Sequence, residues 1–270
     1  MVCHKPIQRK DANNVLHEHV CGSCYACKSN RIQGWIFRLE QELKVSTTAY
    51  FITLTYATEK VPITQNGLLT IQKRDLQLFF KKLRKDNVES IKYFACGEYG
   101  SKTIRPHYHI ILFNAKQQTI QENWVHGHVH YGDVNSTSIA YTLKYIFKDK
   151  ANFRLNDLDD RSPEFQLQSK GLGKNFLTDN LKSWYNQWWQ PGVNEVPPYY
   201  APGKDGKKIP LPRYYKEKLF TKEQRLIIGE MIQEEAYKKK PLSKKELQGY
   251  YTAIQHAERM KAIKAKGNKF

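Results

Sequence analysis

The sequence predicts an α+β fold in which helices flank a central antiparallel sheet, with a basic helical appendage at the C-terminal end. Three observations predict it. Helix and strand signals alternate through the first 150 residues in the order helix, strand, helix, strand, strand, strand, helix, with short connections. The turn-rich stretch Gly97 to Pro106 joins two consecutive strand signals as a hairpin, a connection that a doubly wound parallel sheet does not use. Beyond about residue 150 the composition changes, first to a proline- and tyrosine-dense segment and then to lysine-rich helical periodicity.

The first helix is expected from about 25 to 45, because Ile32, Trp35, Ile36, Leu39 and Leu43 recur at helical spacing while Arg31, Arg38, Glu40 and Glu42 fall mostly off that stripe. Ala49 to Tyr56 is rich in β-branched and aromatic residues and reads as a buried strand. Asp75 to Arg84 returns to helix. Its apolar face is Leu76, Phe79, Phe80 and Leu83, and its other face is lysine-rich. Ile91 to Cys96 and His109 to Phe113 are the hairpin strands, His128 to Val134 is a further strand, and Ser136 to Lys148 is helical after a Ser/Thr-rich cap region. Pro191 to Pro212 reads as an extended linker, followed by helices at roughly 221–239 and 243–265. From Tyr214 to Phe270 there are 14 Lys plus Arg against 7 acidic residues. The expected organisation is a cysteine-containing segment over 1–30, a core over 31–190, the extended segment over 191–220 and the basic tail over 221–270.

Charge narrows the partners. With 44 Lys plus Arg against 26 Asp plus Glu, the 270-residue chain carries +18 and a pI near 9.5, a field that draws polyanions. Nucleic acid is therefore the leading partner, ahead of a membrane surface or a ribosomal context. Met1 to Asn14 is polar with no apolar core of a signal peptide, and no apolar run approaches the roughly 20 residues of a membrane span. Five cysteines, with Cys21, Cys24 and Cys27 crowded together, fit a reducing compartment and not a disulfide framework. The expectation is a protein of the cytoplasm with no membrane partner.

Chemistry concentrates in two places. In His107-Tyr108-His109, side chains two apart on a strand face the same way, so both imidazoles can meet one cation while Tyr108 faces the core. Two histidines alone are weak. Glu98, in Gly97-Glu98-Tyr99-Gly100 just past the preceding strand, comes back beside them if the strands form a hairpin and supplies a carboxylate oxygen. Two histidines and one carboxylate leave positions open for water and phosphate, the catalytic rather than the closed structural pattern. Some thirty residues on, Tyr141 and Tyr145 are one helical turn apart and project from one face. Paired aromatics at this spacing are commonly core, but Ala140, Leu143, Ile146 and Phe147 can supply a separate apolar stripe, and Lys144 and Lys148 adjoin the phenols. A phenol with a pKa near about 10 needs a cation nearby to attack a phosphate at neutral pH.

Phe51-Ile52-Thr53-Leu54-Thr55, then Pro106-His107-Tyr108-His109, then Tyr141-x-x-x-Tyr145 together resemble the three motifs of the HUH endonuclease superfamily, and more closely the replication initiators of gokushovirus-type microviruses, small circular single-stranded DNA phages. Cys21-Gly22-Ser23-Cys24-x-x-Cys27, Gly97-Glu98-Tyr99-Gly100 and Ile209-Pro210-Leu211-Pro212-Arg213-Tyr214-Tyr215 resemble the same group, so the likeness covers most of residues 1–220. The resemblance implies a sheet flanked by helices. It implies that His107, His109 and Glu98 bind Mg2+ or Mn2+, that Tyr141 and Tyr145 are alternating nucleophiles, and that Lys144 contacts phosphate at the scissile bond. Arg105 and Lys148 would contact DNA. The implied activity is nicking of origin DNA by transesterification to tyrosine in rolling-circle replication, in the cytoplasm of a bacterial host, with single-stranded and origin DNA, a host helicase and a DNA polymerase as partners. A non-enzymatic protein coating single-stranded nucleic acid, and an HUH nuclease of plasmid, relaxase or transposase type, are the alternatives.

Other features carry weaker signals. His128-Val129-His130 also fits the histidine pattern but has no carboxylate on an obvious partner strand, so it reads as an exposed strand face near DNA. Cys21, Cys24 and Cys27 with Cys3 or His4 suit a structural Zn2+ site, or else are small buried thiols. Cys96 reads as core. Ser169-Lys170-Gly171-Leu172-Gly173-Lys174 can touch backbone phosphates but lacks the spacing of a nucleotide-hydrolysing loop, so no nucleotide cofactor is expected. Trp184, Tyr185, Trp188 and Trp189 are either helix core or a base-stacking platform.

Overall fold

The structure is a computed structural model that describes residues 3, 5–10, 14–100, 103–143, 158–190, 195, 197–203, 206 and 208–238, without the side chains of 233–238. The chain divides into two compact units. The larger spans 28–178 and 202–210; the other comprises 1–27, 179–201 and 211–270.

The larger unit is built on a five-stranded sheet whose neighbours are all antiparallel. Its strands are β3 (Ala49–Tyr56), β4 (Lys92–Tyr99), β5 (Pro106–Phe113), β6 (Gly127–Gly132) and β7 (Phe165–Gln168), in the order β6-β3-β5-β4-β7. The α+β architecture read from the sequence is the observed one. On one face, Ile52, Leu54, Tyr108, Ile110 and Leu112 meet α2 (Lys73–Asp86) through Leu76, Phe79, Phe80 and Leu83, with Ile120 of α3 (Gln117–Asn123) and Trp124 closing the layer. On the other face, Phe94, Ile111 and Phe113 meet Leu39 of α1 (Tyr25–Val45) and Ile139 and Leu143 of α4 (Ser136–Leu143). Because side chains alternate along a strand, β5 contributes to both layers, and every residue from Tyr108 to Phe113 except His109 is fully buried apolar surface.

Several boundaries differ from the sequence reading. The hairpin strands are longer than expected: β4 continues through Gly97 and Glu98 to Tyr99, and β5 begins at Pro106, so Glu98 and His107 are strand residues rather than turn residues. Gly97 reads as a breaker, yet its missing side chain makes room for Phe165, whose ring would come within 2.9 Å of an added Cβ. The apolar stripe of α4 is Ile139, Thr142 and Leu143, with Ala140 exposed; Thr142 is buried because its hydroxyl donates to the Ser138 carbonyl at 2.9 Å. Asn135 caps α4, its Oδ1 accepting from the amides of Thr137 and Ser138 at 2.9 Å. Ile146 and Phe147 lie outside the described residues.

In the other unit, β1 (Ile7–Lys10) and β2 (Leu16–His19) form an antiparallel hairpin with Ile7 opposite His19. Farther along the chain, α5 (Asp179–Asn186) is followed by two three-residue strands that pair with each other, β8 (Tyr200–Pro202) and β9 (Lys208–Pro210), and then by α6 (Arg213–Leu219) and α7 (Lys222–Lys238). Helix α6 falls inside the stretch expected to be extended. Pro212 ends that stretch at its N-cap position, and Tyr215 is anchored at 0% exposure. Phe220 collects Tyr185, Trp189 and Tyr199 around it, with ring centroids 5.2, 6.4 and 5.7 Å away. The helix expected at 243–265 lies outside the described residues.

Candidate metal centre

The antiparallel register of β4 and β5 places Glu98 directly opposite His107 and Cys96 opposite His109. Residues two apart share a face, so Glu98, His107 and His109 all point to the sheet side covered by α1 and α4, away from buried Tyr108. Glu98 Oε1 lies 2.8 Å from His107 Nε2 and 2.9 Å from His109 Nε2. The Glu98 carboxylate and the His109 ring are nearly excluded from solvent, with 6% and 7% side-chain exposure; His107 is more open at 18%.

The outer nitrogens of both rings are engaged. His107 Nδ1 is 3.2 Å from the carbonyl oxygen of Arg105, which can only accept, so Nδ1 carries the proton and the neutral ring presents a bare lone pair at Nε2. His109 Nδ1 is 2.9 Å from the hydroxyl of Thr53, on the neighbouring strand β3. A lone pair facing a buried carboxylate oxygen at 2.8 Å is unfavourable unless a proton or a cation lies between them. Two imidazoles oriented through their outer nitrogens, with a carboxylate between, is the donor set of a divalent-cation site, and the three residues fit one.

Phe51 stacks on the His109 ring at 5.8 Å, and Tyr141 of α4 meets the same ring edge-on, with centroids 5.2 Å apart. Tyr141 is 40% exposed, so its ring borders both the imidazole and solvent. Of the expected nucleophile pair, Tyr141 is thus beside the histidines, whereas Tyr145 lies outside the described residues, as do Lys144 and Lys148. The Arg105 guanidinium donates to the Tyr56 carbonyl at 2.9 Å, an anchor that also steadies the carbonyl received by His107. Thr53, Phe51 and the Arg105 carbonyl contribute to the site although none was expected from ligand patterns in the sequence. Strand alternation within Phe51-Ile52-Thr53 carried the signal, because it sets Phe51 and Thr53 on the face of the histidines.

His128 and His130 sit on edge strand β6 opposite Thr55 and Thr53, hence on the same sheet face, and both are exposed. Cys96 is buried, with its thiol 3.7 Å from the carbonyls of His109 and Thr142. The glycine-lysine loop is held as structure: Gly173 donates its amide to Glu42 at 2.7 Å, and Arg38 grips the Leu172 carbonyl. In the aromatic cluster Tyr185 is buried and Trp184 is 40% exposed. Among the described residues, Cys3, Cys21, Cys24 and Cys27 form the other group able to hold a metal ion. No helix among the described residues is long and apolar enough to cross a membrane.

Residues 49–150 match the family of the replication-associated protein ORF2. The chain carries an ORF2-type replication-associated domain. That domain contains Thr53, Glu98, Arg105, His107, His109 and Tyr141, as well as Lys144, Tyr145 and Lys148; the cysteine group lies outside it. The chain is 26% identical over 223 residues to the replication-associated protein VP4 of Bdellovibrio phage phiMH2K, which covers 73% of this chain and 66% of the phage protein. It is 26% identical over 231 residues to the replication-associated protein ORF2 of Spiroplasma virus 4, covering 77% of this chain and 69% of that protein. The chain therefore spans about two thirds of the length of these relatives. No solved structure matches it.

Proposed function

We propose that this protein initiates rolling-circle replication of a circular single-stranded DNA phage genome by nicking origin DNA and joining it to tyrosine. The observation that carries the reading is the convergence of Glu98 Oε1, His107 Nε2 and His109 Nε2, with the Tyr141 ring 5.2 Å from His109. The ORF2-type domain and the replication-associated relatives support a role in replication.

In this reading Glu98, His107 and His109 hold Mg2+ or Mn2+, which when bound neutralises the phosphate oxygens and makes phosphorus easier to attack. The chain's own residues do the rest. Arg105 O and Thr53 Oγ1 orient the imidazoles, and Phe51 fixes the His109 ring plane. Tyr141 and Tyr145 are the nucleophiles, and Lys144 holds a phosphate oxygen beside the scissile bond. Tyrosine loses its proton to solvent, its oxygen bonds to phosphorus, the bond to the 3′ oxygen breaks, and that oxygen takes up a proton. The 5′ phosphate remains esterified to the protein. One phosphodiester is exchanged for another, so the reverse reaction can rejoin ends, and a second tyrosine permits a second transfer. Arg105, Lys148 and the exposed His128 and His130 border the path of the strand. Unwinding and synthesis belong to a host helicase and DNA polymerase, in the cytoplasm of the bacterial host.

The test is adduct formation. Incubated with a labelled single-stranded origin oligonucleotide, the full chain with Mn2+ should yield a denaturation-resistant protein-DNA band; EDTA or Glu98→Gln should abolish it. A protein that retards the oligonucleotide on a native gel but forms no such band with any divalent cation is a coating protein, and the nickase reading fails.

A further inference from the structure

The N-terminal hairpin presents a problem of stability. Strands β1 and β2 have four residues each, and seven of these eight residues are exposed. Its apolar residues are largely in solvent: Ile7 is 38% exposed, Val15 52%, Leu16 57% and Val20 70%. An isolated two-stranded hairpin with no buried face is marginal in water at best. Something other than an apolar core must hold this segment in place.

The cysteines are placed to do so. The hairpin register returns the chain so that Cys3, before β1, stands beside Cys21, after β2. Gly22 then adopts φ 73°, a left-handed conformation that reverses the chain at once and brings Cys24 round to the group. Helix α1 starts at Tyr25, so Cys27 sits in its first turn and faces the same point. All four Sγ atoms lie within 4.8 Å of one another; Cys3 to Cys24 is 3.9 Å and Cys21 to Cys27 is 4.0 Å. A tetrahedron of sulfurs around one zinc at about 2.3 Å has edges of about 3.8 Å. These separations match that edge and are far longer than a disulfide bond. Two amides also point at sulfur: Cys21 N donates to Cys3 Sγ and Cys24 N to Cys21 Sγ, both at 3.3 Å. Such donors support thiolates around a metal.

We propose that Cys3, Cys21, Cys24 and Cys27 bind one structural Zn2+ that staples the β1–β2 hairpin to the first turn of α1. The thiols bind as thiolates and release their protons to solvent. Four protein ligands close the coordination shell, so the ion has no open position for substrate and acts on folding only. The site is separate in residues and donor chemistry from Glu98, His107 and His109, and it stands or falls independently of the nickase reading.

The test is metal analysis of the full chain purified under reducing conditions. One zinc per chain should survive in the His107→Ala/His109→Ala variant, which removes the nitrogen donors of the other centre, and in Cys96→Ser. It should be lost in Cys24→Ser. Replacing zinc by Co2+ in the wild-type chain should give the intense visible bands of a tetrahedral ion and a thiolate-to-cobalt charge-transfer band, a signature that only sulfur ligands produce. That spectrum decides the matter even if Cys24→Ser fails to fold. Bound zinc should also slow proteolysis between residues 5 and 20, and a thiol-directed mercurial should release the zinc and restore cleavage. Absence of both zinc and the charge-transfer band, tightly bound iron in place of zinc, two disulfides found by mass analysis, or full zinc content in Cys24→Ser would each overturn the proposal.

Discussion

Thr53 shows how a residue that touches no cation can set the strength of a metal site. Its hydroxyl, 2.9 Å from His109 Nδ1, fixes which way the ring faces and which nitrogen is left for coordination. Thr53→Val keeps the β-branched shape and removes the hydroxyl. The expected result is an increase of about 10- to 100-fold in the Mn2+ concentration for half-maximal adduct formation, with the yield recovered at saturating Mn2+. Loss of yield at every Mn2+ concentration would point to a folding defect instead. On the opposite side of the sheet, Tyr108 Oη lies 2.6 Å from Tyr56 Oη, donates to the Gln72 carbonyl at 2.8 Å, and accepts from the Gln72 amide; Tyr56 donates to Asp75 at 2.8 Å. Burial pushes the Tyr108 phenol up to about 12, and burial together with the neighbouring Tyr108 also raises Tyr56. A raised phenol is fully stabilising below the unfolded value of 10.0, and that contribution is lost as pH climbs through the folded value. Stability should therefore fall between pH 10 and about 12, by about 2 to 3 kcal/mol from Tyr108 alone. Denaturant titrations of wild type and Tyr108→Phe across that range check it: the variant should be weaker at neutral pH by about 1 to 3 kcal/mol and less sensitive to alkali.

At the level of elements, the central sheet was legible because its signals were redundant. Ala49 to Tyr56 and Ile110 to Phe113 are unbroken apolar or β-branched runs, and Leu76, Phe79, Phe80 and Leu83 trace one helical face, all four buried as expected. The ligand trio was legible for the same reason, since a hairpin between the strands that flank Gly97 to Pro106 returns Glu98 to the histidines. Elements whose stability comes from elsewhere escaped. The β1–β2 hairpin has no apolar alternation, β7 is the four-residue edge strand Phe165–Gln168, and α6 hides among prolines. The extent of β4 was misjudged because Gly97 looks like a breaker when the ring that fills its space belongs to Phe165, 68 positions away in sequence. Gly127 is the reverse case, a glycine that the element cannot do without. A Cβ there would lie 2.2 Å from the Thr55 carbonyl oxygen and 2.5 Å from the Ala57 amide nitrogen, both rigid backbone. Gly127→Ala should cost about 1 to 3 kcal/mol in urea unfolding and raise amide exchange along β6. Unchanged stability and protection would show that β6 does not pair with β3 in the register Tyr56 opposite Gly127.

Across the whole molecule, the excess of 18 positive charges supplies attraction to DNA but no chemistry. Binding to a single-stranded oligonucleotide should weaken steeply with salt, each phosphate contact adding about 0.7 to the log-log slope. Fluorescence anisotropy at several salt concentrations measures it, and Lys148→Ala should lower the slope by about that amount without altering sequence preference. Affinity alone does not separate a nickase from a coating protein, because both use the same charge. What separates them is a covalent bond at a particular side chain. The most direct measurement is mass-spectrometric mapping of the protein after reaction with origin oligonucleotide and Mn2+. The account predicts nucleotide attached through a phosphodiester to Tyr141 or Tyr145, and none in the Tyr141→Phe/Tyr145→Phe variant. Attachment at another residue, or a double variant that still forms the adduct, would contradict it.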